Sequence, residues 1–183
     1  RLSGSEEALA SLTWERIEGR PAPRVLIGGL GMGFTLRAAL AASPPSAEIV
    51  VGELVPAVIA WARGPLAHIF AGCLDDPRVR VIEADVGRLI GEAPDAWDAI
   101  LLDVDNGPEG LTRRANDQLY DLAGLARARA ALRPGGVLAV WSSGPDEGFT
   151  RRMRRSGLST EMLRVPARKG GRGARHVIWL GRR

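Results

Sequence analysis

The apolar run Arg24-Val25-Leu26-Ile27 passes directly into Gly28-Gly29-Leu30-Gly31-Met32-Gly33, and residues of helical spacing follow. A strand feeding a glycine turn and then a helix is how a nucleotide-binding βαβ unit begins, and it constrains the fold more than any other segment. Only glycine lets a ligand approach the backbone of so tight a turn, and the free N–H groups of the new helix favour an electron-rich ligand there. A second apolar run, Ile49-Val50-Val51, closes on Gly52-Glu53, about where an acid grips ribose hydroxyls in dinucleotide folds. An adenosine-containing ligand is the leading expectation, with Gly29, Gly31, Gly33 and Glu53 around it. A solvated loop acid is the alternative for Glu53.

Short β-branched or apolar runs alternate with longer Ala/Leu/Arg stretches along the rest of the chain, which predicts a parallel sheet with helices on both faces. Strands are expected near Arg24–Gly28, Glu48–Glu53, Val79–Ala84, Ala99–Asp103 and Gly136–Ser142. The intervening helices are expected near Met32–Ala42, Pro56–Ala71, Val86–Glu92 and Asp117–Leu132. Ser43-Pro44-Pro45, Asp75-Asp76-Pro77 and Arg133-Pro134-Gly135-Gly136 punctuate them. A helix near Glu147–Arg155 then precedes strands near Glu161–Val165 and His176–Leu180. The loop between these two strands is too short for a crossover helix, so they are expected to form an antiparallel hairpin at one sheet edge. The fold class is α/β: a Rossmann-like, doubly wound, seven-stranded sheet, mostly parallel. A sheet ending in such a hairpin is the architecture of class I S-adenosylmethionine-dependent transferases rather than of nicotinamide dehydrogenases.

The 183 residues suffice for one α/β domain, read as residues 21–183 with residues 1–20 as an N-terminal remnant segment. No apolar stretch is long enough to cross a bilayer. The single cysteine, Cys73, has no internal disulfide partner and reads as a small buried hydrophobe, which fits a cytoplasmic setting. Residues 151–183 carry ten Arg and one Lys against one Glu, while the remaining 150 hold fourteen basic and twenty acidic groups. Such a tail would suit nucleic acid or acidic lipid. Arginine supplies 24 of the 25 basic residues and is spread over the chain, however, as a general codon bias would produce, so neither nucleic acid nor membrane is the expected partner. The acidic body fits a cationic substrate. His68 and His176 are far apart and, with one cysteine, form no recognisable zinc set, so no metal is expected. No Ser lies in a G-x-S-x-G elbow. Trp141 is read as core, with a pocket wall as the alternative.

Acids stand at three strand ends, Glu53, Asp85 and Asp103, and consecutive strand ends of a doubly wound sheet converge on one crevice. Asp103 and Asp105 flank Val104, and two carboxylates so close at a buried strand end call for a cation or a shared proton. A turn-and-cap role is the alternative for Asp105.

In order, VLIGGLGMG, VVGEL, IEADV, DAILLDVDNGPE and QLYDLAGLARARAALRPGGVLAVWS resemble the spermidine synthase superfamily, the polyamine aminopropyltransferases and their bacterial relatives. The resemblance runs from about Gly4 to Leu180 and is most specific from Asp98 to Ser142. It implies that Glu53 binds ribose, that Asp85 with Val86 binds adenine, and that Asp103 deprotonates the attacking amine while Asp105 holds substrate ammonium. A plain helix N-cap is the alternative for Asp85. Departures from the family pattern are GGLGMG for a GGGDGG-like turn, Ile27 where an acid commonly stands in such transferases, and DVDNGP for D-S-[ST]-D-P. Ser5-Glu6-Glu7 stands in place of the tyrosine-histidine-glutamate segment, without the tyrosine.

The resemblance implies aminopropyl transfer from decarboxylated S-adenosylmethionine to a small-molecule amine, releasing methylthioadenosine, by a homodimer. An S-adenosylmethionine-dependent methyltransferase and a catalytically silent adenosine-binding or scaffold protein are the alternatives.

Overall fold

A computed structural model describes residues 4–104, 118–168 and 173–183. Seven strands form one sheet in the order β3-β2-β1-β4-β5-β7-β6. They are β1 (Arg24–Gly28), β2 (Glu48–Glu53), β3 (Val79–Glu83), β4 (Trp97–Leu102), β5 (Leu132–Ser142), β6 (Ser159–Pro166) and β7 (Arg175–Arg182). Strands β1 to β5 pair in parallel, and β7 inserts antiparallel between β5 and β6. The expected hairpin is present, with its return strand in the interior of the sheet and β6 at the edge.

Side chains alternate across the sheet. Val25, Ile27, Ile49, Val51 and Leu101 pack on one face with Leu36 and Ala39 of α2 (Phe34–Ala42), and Leu26, Val50, Ile100 and Leu138 pack on the other. That second face is covered by α5 (Val86–Gly91), α6 (Leu122–Ala131) and α7 (Glu147–Arg155), through Leu89, Leu125 and Met153. Strands buried on both faces read as continuous apolar runs, which is why β1, β2 and β4 are nearly uninterrupted.

Three expectations are corrected. A helix that the sequence reading did not place, α1 (Gly4–Arg16), packs against the first face with Leu9 and Ala10 fully buried. Its buried positions also include Ser5 and Thr13, and this polar content hides the apolar stripe that betrays most helices. The single helix expected over 56–71 is two, α3 (Pro56–Arg63) and α4 (Ala67–Phe70). Pro65 lacks the N–H that would continue the ladder and disfavours helical backbone at Gly64. The fifth strand begins at Leu132 rather than Gly136, with a register irregularity where it meets Trp97 and Ala99. The first residue of the helix expected from Asp117 lies outside the described residues, and Gln118 to Tyr120 are helical ahead of α6.

At the end of the sheet opposite the strand termini that carry Glu53 and Asp103, Asp98 is 2% exposed. It accepts hydrogen bonds from the Arg20 and Arg133 guanidiniums and from the Arg24 backbone N–H. This carboxylate ties the segment before β1 to the start of β5. No described helix is long and apolar enough to cross a membrane.

Candidate active site

The glycine turn after β1 is shaped by what surrounds it. Gly29 has φ +89° and donates its N–H to Gly52 O at 2.9 Å, and a Cβ there would stand 3.0 Å from Asp103 O. Gly33 has φ +74° and faces the Phe70 ring, only 2.6 Å from where its Cβ would lie. Both positions therefore exclude a side chain by conformation and by space. Gly33 closes the turn onto α2 and is not part of the cleft wall, whereas Gly29 and Gly31 are.

A cleft of about 250 Å³ opens beside this turn, and it brings together Glu53, Asp85, Val86 and Asp103. Each acid stands at the end of a parallel strand, as the topology requires. Glu53 is 8% exposed; its Oε2 accepts from Leu30 N at 2.9 Å and its Oε1 from Val55 N at 2.8 Å. One carboxylate thus clamps the glycine turn to the β2–α3 loop. Each of its oxygens keeps a further lone pair for an outside donor. Asp85 caps α5, with Oδ1 accepting from Arg88 N at 3.2 Å, so the helix-cap alternative is realised and Oδ2 is left over. The Val86 side chain is buried in the core under Gly28.

Asp103 follows β4, and its N–H donates to Gly28 O at 3.3 Å. Its Oδ2 accepts from Thr35 Oγ1 at 2.8 Å, which reaches over from the first turn of α2. Burial raises its carboxyl from an ordinary 3.8 to about 6; the Thr35 hydrogen bond works against this, and the nearby charge of Glu6 adds to it. A carboxyl of this kind changes protonation closer to neutrality than an ordinary aspartate, which suits general acid–base chemistry. Asp105 lies outside the described residues.

Sequence reasoning set His176 aside and did not find Thr35. His176 opens β7, which runs antiparallel, so its first residues lie at the same sheet end as the termini of β4 and β5. Its Nδ1 is 2.8 Å from Ser5 Oγ, and its ring meets Trp141 edge-on at 4.8 Å. Trp141, 8% exposed, belongs to the core as expected.

No protein-family model matches the chain. A polyamine aminopropyltransferase of Mycobacterium tuberculosis is 38% identical over 124 residues, which cover 66% of this chain and 23% of that protein. One of Streptomyces coelicolor is 34% identical over 128 residues, 68% of this chain and 23% of the relative. A solved spermidine synthase in complex with the transition-state analogue AdoDATO superimposes with a TM-score of 0.75 at 23% identity, over 97% of this chain and 58% of that one. The chain belongs to the spermidine synthase-like superfamily. This spermidine synthase-like chain has the seven-stranded fold of class I S-adenosylmethionine-dependent transferases. It spans about a quarter of the length of the two curated relatives.

Proposed function

We propose that the chain transfers an aminopropyl group from decarboxylated S-adenosylmethionine to a small amine, with Asp103 as the base. The observation that carries this reading is the desolvated Asp103 carboxyl at the end of β4, which shares one cleft with Glu53 and the glycine turn. An aliphatic amine has a pKa of about 10 and arrives protonated. Asp103 takes that proton and orients the freed lone pair toward the carbon next to the sulfonium. The N–C bond forms as the C–S bond breaks, the bonding pair stays on sulfur, and methylthioadenosine leaves. Thr35 holds the accepting carboxyl in place.

The residues present suit such a co-substrate. Glu53 would offer its remaining lone pairs to the ribose hydroxyls, Asp85 Oδ2 would accept from the adenine amino group with Val86 beside it, and Gly29 and Gly31, which line the cleft, would let the nucleoside come close to the backbone. The anionic cleft also suits a sulfonium. The two curated relatives carry the aminopropyltransferase name, which supports the acceptor being an amine. Asp105 is assigned to the substrate ammonium. The position of β6 at the sheet edge supports a homodimer, and small diffusible substrates fit a cytoplasmic setting.

The test incubates the protein with decarboxylated S-adenosylmethionine and 1,4-diaminobutane and detects the aminopropylated product by mass spectrometry. Transfer that disappears in Asp103→Asn, while methylthioadenosine still raises the melting temperature, sustains the reading. Methylation from intact S-adenosylmethionine would replace it with a methyltransferase. Nucleoside binding without either transfer, over a broad acceptor panel, would leave a binding or scaffold protein. Light scattering tests the dimer.

A further inference from the structure

We propose that the surface formed by α7 and the β6–β7 hairpin binds the phosphate backbone of a nucleic acid. The proposal is independent of the transfer reaction, and these elements contribute nothing to the wall of the acidic cleft.

Arginine is spread along the sequence, but the arginines without partners are not. Among the described residues, the guanidiniums of eight arginines pair with carboxylates, and those of four more donate to backbone carbonyls. Eight do neither, and six of these, Arg151, Arg154, Arg155, Arg164, Arg168 and Arg175, lie in α7 and the hairpin, all exposed. A codon bias scatters arginine without regard to the fold; it does not gather the unpartnered ones on two adjoining elements.

The buried side of α7 is Phe149, Thr150 and Met153, so Arg151, Arg154 and Arg155 stand on its outer side. Arg151 has Arg154 and Arg155 at i+3 and i+4, a spacing at which like charges destabilise a helix. α7 packs on β6, and Arg164 and Arg175 rise from the same side of the sheet. Arg164 follows Met162 by two residues and Arg175 precedes Val177 by two, and both Met162 and Val177 pack in the core under α7. Acids do not offset these charges. Asp146 caps α7 and pairs with Arg152, and Glu161 lies on the opposite side of β6, where it holds Arg16. Glu147 sits in the first turn of α7, at the positive end of the helix dipole. Five guanidiniums on one side thus repel one another in the free chain, and a polyanion relieves that repulsion. Guarding an open sheet edge does not account for them, because such charges belong on the edge strand and three of the five are on the helix.

The chemistry favours a phosphodiester backbone over lipid. The large apolar side chains exposed among the described residues are Met32, Leu54, Trp61 and Leu122, none of them in α7 or the hairpin, so this surface has nothing to insert below a headgroup layer. Phe149 and Trp179 are buried beneath it, which leaves no ring for base stacking and points to a duplex gripped without regard to sequence. Guanidinium forks match phosphate oxygens two at a time. Residues 151–183 carry ten Arg and one Lys against one Glu while the rest of the chain is acidic, so the field of the molecule turns this side toward a polyanion.

Fluorescence anisotropy of the full chain with a short labelled duplex of mixed sequence, as DNA and as RNA, tests the proposal. With a salt slope of about −0.9 per phosphate contact, five contacts lower DNA affinity about 500-fold between 50 and 200 mM salt. Arg151→Gln with Arg155→Gln leaves three contacts, and should reduce that fall to about 40-fold and weaken binding at 50 mM salt. Arg63→Gln with Arg80→Gln removes the same charge from exposed, unpartnered arginines on α3 and on β3 at the opposite edge, and should leave both quantities nearly unchanged. Glutamine keeps the helix propensity of arginine, so both variants should melt with the wild type. Binding of both duplexes, or of one in preference, sustains the proposal and identifies the source of the backbone. Absence of binding to either duplex at 50 mM salt, a salt dependence untouched in the α7 variant, or an equal loss in both variants overturns it. So does tighter binding to phosphatidylserine vesicles than to either duplex, which would make the surface a lipid contact.

Discussion

Replacing Asp103 by Asn removes an anion that the fold is reluctant to hold, and the pH dependence of stability reads that reluctance directly. Burial raises this carboxyl from 3.8 to about 6. Below the lower value both folded and unfolded chains carry the proton, and nothing is lost. Between the two, the unfolded chain ionises first, so stability falls as pH rises. Above the upper value both are ionised and the folded state carries a constant penalty of about 3 kcal/mol, at 1.36 kcal/mol for each tenfold difference in acidity. About half of that penalty is already present at pH 5, which leaves about 1.5 kcal/mol to appear between pH 5 and pH 8. Asparagine keeps an oxygen for Thr35 and has no charge to bury. Asp103→Asn should therefore gain on the wild type by about 1.5 kcal/mol between those two pH values, and with a urea m-value of 1–3 kcal/mol/M the gap between their midpoints should widen by about 0.5–1.5 M. All other titrations are common to both proteins and cancel. A midpoint gap that is constant with pH, or a wild type that gains on the variant as pH rises, refutes the assignment of a desolvated carboxyl. The same ionisation gives the rate its acid limb: kcat/KM should fall about tenfold per pH unit below about 6. A bound diammonium favours the anion, so the limb in kcat should lie lower.

Glu53→Gln should weaken methylthioadenosine binding by roughly 1.5–3 kcal/mol in calorimetry, because the amide replaces one acceptor oxygen by a donor facing either the Leu30 or the Val55 N–H. Unchanged affinity would leave Glu53 as a loop clamp only. Gly33→Ala forces a left-handed alanine into the Phe70 ring and should cost about 2–4 kcal/mol, seen as a melting temperature lower by roughly 5–10 °C; an unshifted melting curve would show that the turn relaxes freely. Asp98→Ala should destabilise by about 3 kcal/mol in urea unfolding without altering nucleoside affinity in the folded fraction, since it strips two guanidiniums and one backbone N–H of a buried acceptor at the far end of the sheet. A loss of affinity there would mean that strain at that end reaches the cleft.

What the sequence reveals and what it conceals divide along the range of the interactions. β1 and β2 are legible to the residue, at Arg24–Gly28 and Glu48–Glu53, because a strand buried on both faces leaves an uninterrupted apolar run and the glycines and acids that end it are its neighbours in the chain. The three strand-end acids are legible for the same reason, since topology carries local ends to one crevice. The long-range partners are not. Thr35 meets Asp103 across 68 residues, and Ser5 meets His176 across 171, on elements brought together only by the sheet order. His176 is a sharp case. Counted as a metal ligand it lacks companions, and that count says nothing of a strand that threads between β5 and β6 and begins at the sheet end where β4 and β5 terminate. Helix α1 escapes for a related reason, because its buried Ser5 and Thr13 break the apolar stripe. Thr13 spends its hydroxyl on Leu9 O, a bond within its own helix, whereas Ser5 spends its on Glu6 and His176. The same polar interruption is thus structural at one position and, at the other, directed at the end of the sheet where the acids converge. Only the fold distinguishes the two.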